Sequence, residues 1–128
     1  MPNQYTVRPI TERFWAKVDK NGPLPAHCPN LGPCWLWLGK LNTGYGSIWI
    51  GRKSGENEPA HRWAWVQENG PVPDGLELDH LCRARACVRP SHMEAVEHKV
   101  NMARMRERVF TGDYGFLVNR LVSCHAKV

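Results

Sequence analysis

The sequence predicts an α+β fold of short antiparallel strands and a few helices. Two observations carry that expectation. Residues 34–38 and 45–50 read as strands joined by an Asn42-Thr43-Gly44 turn. Further on, strand-like residues 76–81, an irregular cysteine-bearing stretch at 82–92, a short strand at 93–96 and a helix at 97–109 follow one another.

The elements follow in order. Residues 11–18 read as a short amphipathic helix with Phe14, Trp15 and Val18 on its apolar side. Residues 19–33 are a Pro- and Gly-rich loop. A polar loop at 51–59 carries Arg52 and Lys53, and the helix at 60–69 is stopped by Gly70 and Pro71. Residues 1–110 make one domain with its core block at about 75–108. The tail 111–128 carries Phe116, Leu117, Val118 and Leu121, which suit either packing on the same chain or a dimer contact.

With 128 residues, 42% of them hydrophobic and 23% charged, the chain should fold as a single domain. Its longest apolar run, residues 34–38, is far short of the roughly 20 residues needed to cross a bilayer. The opening Met1-Pro2-Asn3-Gln4 does not resemble a secretory leader. These features point away from the membrane and towards a reducing, cytoplasmic setting. There, clustered Cys and His suggest metal before disulfides, and five Cys would leave one unpaired in any disulfide framework. A net charge of +5 fits a polyanionic partner. The six Trp are expected to serve packing.

Four residues separate Cys82 from Cys87, and four separate Cys87 from His92. Zinc takes four ligands in a tetrahedron, and a short loop can supply three. Cys34, at the start of a strand able to lie alongside, is the expected fourth. His27, Cys28, Cys124 and His125 are the alternatives. Such a site would crosslink a loop-rich domain.

Asp79-His80 closes the strand before this loop, and Asn101 lies on the following helix. A carboxylate and an amide oxygen offer hard ligands to a divalent cation. A neutral His beside it can take a proton from water.

Taken together, Asp79-His80-Leu81-Cys82, Cys87, Pro90-Ser91-His92 and His98-x-x-Asn101 resemble the HNH and His-Cys box nucleases of the ββα-metal (His-Me finger) superfamily, close to small phage HNH endonucleases. The similarity extends upstream through Cys34-Trp35-Leu36-Trp37, Gly44-Tyr45-Gly46, His61-Arg62-Trp63-Ala64 and Asn69-Gly70-Pro71, so it covers about residues 11–106. It implies a ββα-metal fold with a structural zinc and a small upstream antiparallel sheet. His80 matches the general base. Asp79 and Asn101 match the ligands of one catalytic Mg²⁺ or Mn²⁺, and Cys34, Cys82, Cys87 and His92 match the zinc ligands. His98 matches the last His of the motif. Double-stranded DNA is the implied substrate, cut to leave 5′-phosphates, in the cytoplasm of a phage-infected host. Concerted double-strand cleavage implies a homodimer, whereas a monomer would nick.

One position departs from the pattern. Relatives commonly carry Asn where this chain has Arg89, and that Asn braces the loop of the base. Arg89 either braces it differently or reaches a phosphate. The departure keeps open the alternative of a zinc-stabilised DNA-binding module without catalysis.

Between His80 and Arg108 lie seven Arg and Lys against three Glu, so most of the net charge surrounds this block. Arg83, Arg85, Arg89, Lys99 and Arg104 are therefore expected phosphate contacts. Arg62 either forks onto phosphate or ties its helix to the core. Arg52 and Lys53 match loops that enter DNA grooves in related nucleases. His61 reads as structural, and Trp63 and Trp65 as packing.

Overall fold

The computed structural model of the chain describes residues 8–51 and 56–111. Arg52, Lys53, Cys124, His125 and the apolar residues Phe116, Leu117, Val118 and Leu121 lie outside the described residues.

The fold is α+β. Helix α1 (Ile10–Trp15) leads into β1 (Val18–Asp19), which pairs antiparallel with β2 (Leu36–Trp37). Strands β3 (Leu41–Asn42), β4 (Tyr45–Trp49) and β5 (Asn57–Pro59) form a second antiparallel sheet. Helix α2 (Ala60–Asn69) follows β5 directly. Strands β6 (Leu76–His80) and β7 (Met93–Glu97) then make an antiparallel pair, with Leu76 opposite Glu97 and His80 opposite Met93. Helix α3 (His98–Thr111) leaves β7 without a linker and packs on both strands. This hairpin and helix, behind a small upstream sheet, is the arrangement the sequence implied.

The main core is aromatic. Phe14 is fully buried, its ring 5.0 Å from that of Trp37 and 4.5 Å from that of Trp63. Ile48, Ala60, Ala64 and Val88 close the cluster. Strand β4 alternates, turning Gly46 and Ile48 inward. Trp63 and Trp65 are both buried, so packing is their role. Gly70, at the end of α2, has φ 84°, a left-handed backbone that glycine adopts without strain.

Two readings change. The first helix ends at Trp15, because Val18 is drawn into backbone pairing opposite Trp37. Trp15 is 41% exposed, and the Lys20 ammonium lies 5.0 Å from its ring. Strands β1, β3 and β5 were not expected. Segments of two or three residues show no periodicity and form only because a partner strand is present.

A Cβ added at Gly46 would lie 2.6 Å from Trp37 Cδ1 and 3.0 Å from the Ala60 Cβ. Gly46→Ala should therefore overpack the core and lower unfolding free energy by about 1–3 kcal/mol in a denaturant titration.

Candidate functional site

Four side chains from two parts of the chain converge. The ligand atoms of Cys34, Cys82, Cys87 and His92 all lie within 4.8 Å of one another, and all four residues are buried. Zinc–sulfur bonds of ~2.3 Å in a tetrahedron place sulfurs roughly 3.8 Å apart, so the cluster fits that ion. The backbone explains the convergence. Leu36 bridges Cys87, Trp37 N–H donates to the Ala86 carbonyl, and Val88 N–H donates to that of Trp35, which sets Cys34 beside the loop. His92 Nδ1 lies 3.5 Å from Cys87 Sγ and 3.7 Å from Cys34 Sγ. Its Nε2–H donates to the Leu31 carbonyl at 2.8 Å, leaving Nδ1 bare for a metal. His27 and Cys28 stand outside this group, and His27 Nε2–H donates to the Leu81 carbonyl at 2.8 Å.

Hydrogen bonding from Cys82 pulls the Cys87 thiol down to about 4, while burial pushes Cys34 up to about 11. Cys82 is also pushed up, by its hydrogen bond to Cys87 and by burial. One thiolate is thus favoured and two are not. A divalent cation removes that repulsion and deprotonates coordinating thiols.

His80, at the end of β6, is 7% exposed. Its Nε2–H donates to the Cys87 carbonyl at 2.9 Å. A carbonyl only accepts, so the proton sits on Nε2 and Nδ1 keeps a lone pair. Burial lowers its basicity and favours the neutral ring. Arg89, in place of the usual Asn, braces this loop. Its Nη1 donates to the Pro33 carbonyl at 2.8 Å, its Nε donates to Ser91 Oγ at 3.1 Å, and its guanidinium lies 5.1 Å from the Trp35 ring centroid.

The expected cation ligands have other partners. Glu77 and Asp79 alternate on one face of β6, and His98, Asn101, Arg104 and Arg108 recur at helical spacing on α3. Asp79 is 3% exposed and accepts from Arg104 and Arg108, each at 3.0 Å. Arg104 also donates to Glu94 at 2.8 Å. Glu94 sits opposite Asp79 in the hairpin, and the guanidinium offsets the repulsion of that like-charged pair. Asn101 Nδ2 donates to Glu77 Oε1 at 2.6 Å, and His98 Nδ1 lies 3.1 Å from the same oxygen. Those two hydrogen bonds hold the Glu77 carboxyl below its usual range. Two arginines thus engage the Asp79 carboxylate, while Asn101 contacts Glu77 through its amide nitrogen.

Other basic residues divide by environment. Arg62 is exposed, 3.9 Å from Glu58. Arg85 is exposed and lies 5.4 Å from the Tyr45 ring centroid, and its Nη1 donates to the Thr43 carbonyl. Lys99 is exposed, 3.4 Å from Glu97. Arg83 is half-buried with φ 60°. Arg104 belongs to the carboxylate network and is not a free cation.

A cavity of about 590 Å³ opens between the upstream sheet, α2, β6 and α3, walled in part by Tyr45, His61, Glu77, His98 and Asn101. His61, read from sequence as structural, lies on its wall. Its ring centroid is 4.8 Å from that of His80 and 5.3 Å from that of Tyr45. No spacing in the sequence links residues 45, 61 and 80. Only the packing of β4, α2 and β6 does. Burial, then the charges of His80 and Arg62, lowers His61 to about 3.

Two outcomes follow from this geometry. Elemental analysis of the purified chain should find about one zinc per molecule, and Cys87→Ala should abolish it. That variant should melt ~10 °C lower or more, because metal binding is folding free energy. Because folded His61 titrates near 3 and an unfolded His near 6.5, the folded state binds fewer protons between those values. Its contribution to stability is complete above 6.5 and is lost as pH falls towards 3. His61→Phe should flatten unfolding free energy against pH in that window relative to wild type.

Residues 58–103 match a family model described as HNH endonuclease. The chain is 38% identical over 52 residues to the uncharacterized gene 5.3 protein of Enterobacteria phage T3, covering 38% of this chain and 52% of that protein. It is 32% identical over 73 residues to Protein 7.7 of Escherichia phage T7, covering 56% of this chain and 54% of that protein. The chain thus spans about half the length of these curated relatives. No solved structure matches. No helix among the described residues is long and apolar enough to cross a membrane. The stretch that supplies α2, β6, the zinc-type loop, β7 and the first turns of α3 is thus the part of the chain similar to the HNH endonuclease family, in agreement with the resemblance read from the sequence.

Proposed function

We propose that the protein is a divalent-cation-dependent DNA endonuclease with His80 as its general base. The observation that carries this reading is the Cys87 carbonyl on His80 Nε2, which leaves Nδ1 bare in a neutral ring. Nδ1 takes a proton from water, and the water oxygen attacks phosphorus. The P–O3′ bond breaks, the leaving oxygen takes a proton from solvent water, and a 5′-phosphate and a 3′-hydroxyl remain. Exposed Arg62, Arg85 and Lys99 hold the backbone of double-stranded DNA. Arg83 and the loop residues Arg52 and Lys53 belong to the same proposed contact. Arg89 acts by bracing.

Cysteine and histidine ligands make the zinc structural. The catalytic Mg²⁺ or Mn²⁺ implied by the family supplies Lewis-acid stabilisation of the phosphoryl charge when bound. Asn101 and Asp79 are its proposed ligands, and Asp79 can serve only once Arg104 and Arg108 release it. One site nicks; concerted double-strand cleavage requires a homodimer, to which residues 111–128 would contribute. Residues 1–110 are the proposed nuclease domain, acting in the cytoplasm of an infected host cell. The guanidinium-saturated Asp79 favours a second reading, a zinc-stabilised DNA-binding module without catalysis.

Supercoiled plasmid separates them. Zinc-loaded wild type with Mg²⁺ or Mn²⁺ should nick or linearise it, whereas His80→Ala and an EDTA control should leave it intact. Losing a general base typically costs ~10²–10⁴ in rate. Plasmid binding with no cleavage in either metal would favour the DNA-binding module.

A further inference from the structure

His61 occupies an unusual position for a residue with only a packing role. It is the second residue of α2, whose N-terminal backbone dipole favours an anion. Its ring stands between Tyr45 and His80, and it walls the cavity where Glu77 and Asn101 meet. Its Nδ1 is buried with no hydrogen-bond partner, so Nε2 is the nitrogen that a molecule in the cavity meets. A buried orphan N–H is rarer than a buried bare acceptor, which puts the proton on Nε2. The neutral ring is therefore a donor on a residue that lines the cavity.

We propose that His61 is a second catalytic residue, whose Nε2–H donates a hydrogen bond to a non-bridging oxygen of the phosphodiester being cut. This role rests on the nuclease reading above. The charge on the phosphoryl oxygens grows during attack, and a fixed donor on the cavity wall stabilises that charge without reorganising. With a proton affinity lowered to about 3, the ring stays uncharged and does not compete with His80 for the proton of water. The exposed guanidinium of Arg62, the next residue along, adds positive potential at the same end of the helix.

Zinc-loaded protein labelled with ¹⁵N at histidine tests this directly. Two-bond ¹⁵N–¹H spectra should show His61 as the Nε2–H tautomer. Its Nε2 signal should shift on saturation with a short DNA duplex in Ca²⁺. His61→Phe keeps the ring stack and should keep the fold and the duplex affinity, while plasmid cleavage falls roughly 100-fold or more, the typical loss of one charge-stabilising donor. His61→Gln, which retains an N–H donor, should recover part of it. An Nδ1–H tautomer, an Nε2 signal unmoved by the duplex, a duplex that does not bind, or wild-type cleavage by His61→Phe would each overturn the proposal. If wild type cuts no DNA, the nuclease reading fails on the plasmid, and the phosphate contact is still judged by the Nε2 shift.

Discussion

Cys87 is the residue on which both halves of the site depend. Its thiol enters the four-ligand cluster, and its carbonyl takes the Nε2–H of His80. The same residue pairs with Leu36, which carries Cys34 in from the upstream strand. A metal at the thiols therefore pins the loop that orients the imidazole. Arg89 secures the loop at its far side by reaching the Pro33 carbonyl.

The electrostatic pattern of the site fits this division. Beside β6, charge is held in pairs: Arg104 of α3 bridges buried Asp79 and Glu94 of β7, and Arg108 pairs with Asp79. Removing one member of such a network leaves a buried uncompensated charge, so the network fixes how α3 sits on the hairpin. At the end of the strand, by contrast, the two imidazoles are held neutral by burial. One strand thus separates an ionic clamp from an uncharged imidazole pair. A cation that recruits Asp79 must compete with two arginines. Its binding is thereby coupled to the position of α3, and phosphate oxygens are natural alternative partners for the guanidiniums.

Much of this was legible in the sequence where the signal is local. Strand β6, strand β7 and helix α3 could be placed because alternation and helix formers act over a few residues. Even spacing of Cys82, Cys87 and His92 announced three ligands, and the strand beginning near Cys34 supplied the fourth. What escaped depends on tertiary pairing. The two-residue strands have no period, and Trp15 faces out because the helix is shorter than its apolar pattern. Asp79 and Asn101 were paired by motif alone. The strand alternation that puts Glu77 and Asp79 on one face gives α3 two carboxylates to choose from, and Asn101 bonds to Glu77. The surroundings of His61 were not legible because they come from rings brought in by β4 and β6.

The central claim is that the zinc-type cluster orients the base through Cys87. Histidine ¹⁵N spectra of the zinc-loaded protein, before and after removal of zinc with a selective chelator, test it most directly. His80 should be an Nε2–H tautomer with a hydrogen-bonded proton in the loaded state, and should lose that signature when zinc leaves. A zinc-free protein that stays folded with the His80 signal unchanged would contradict the claim.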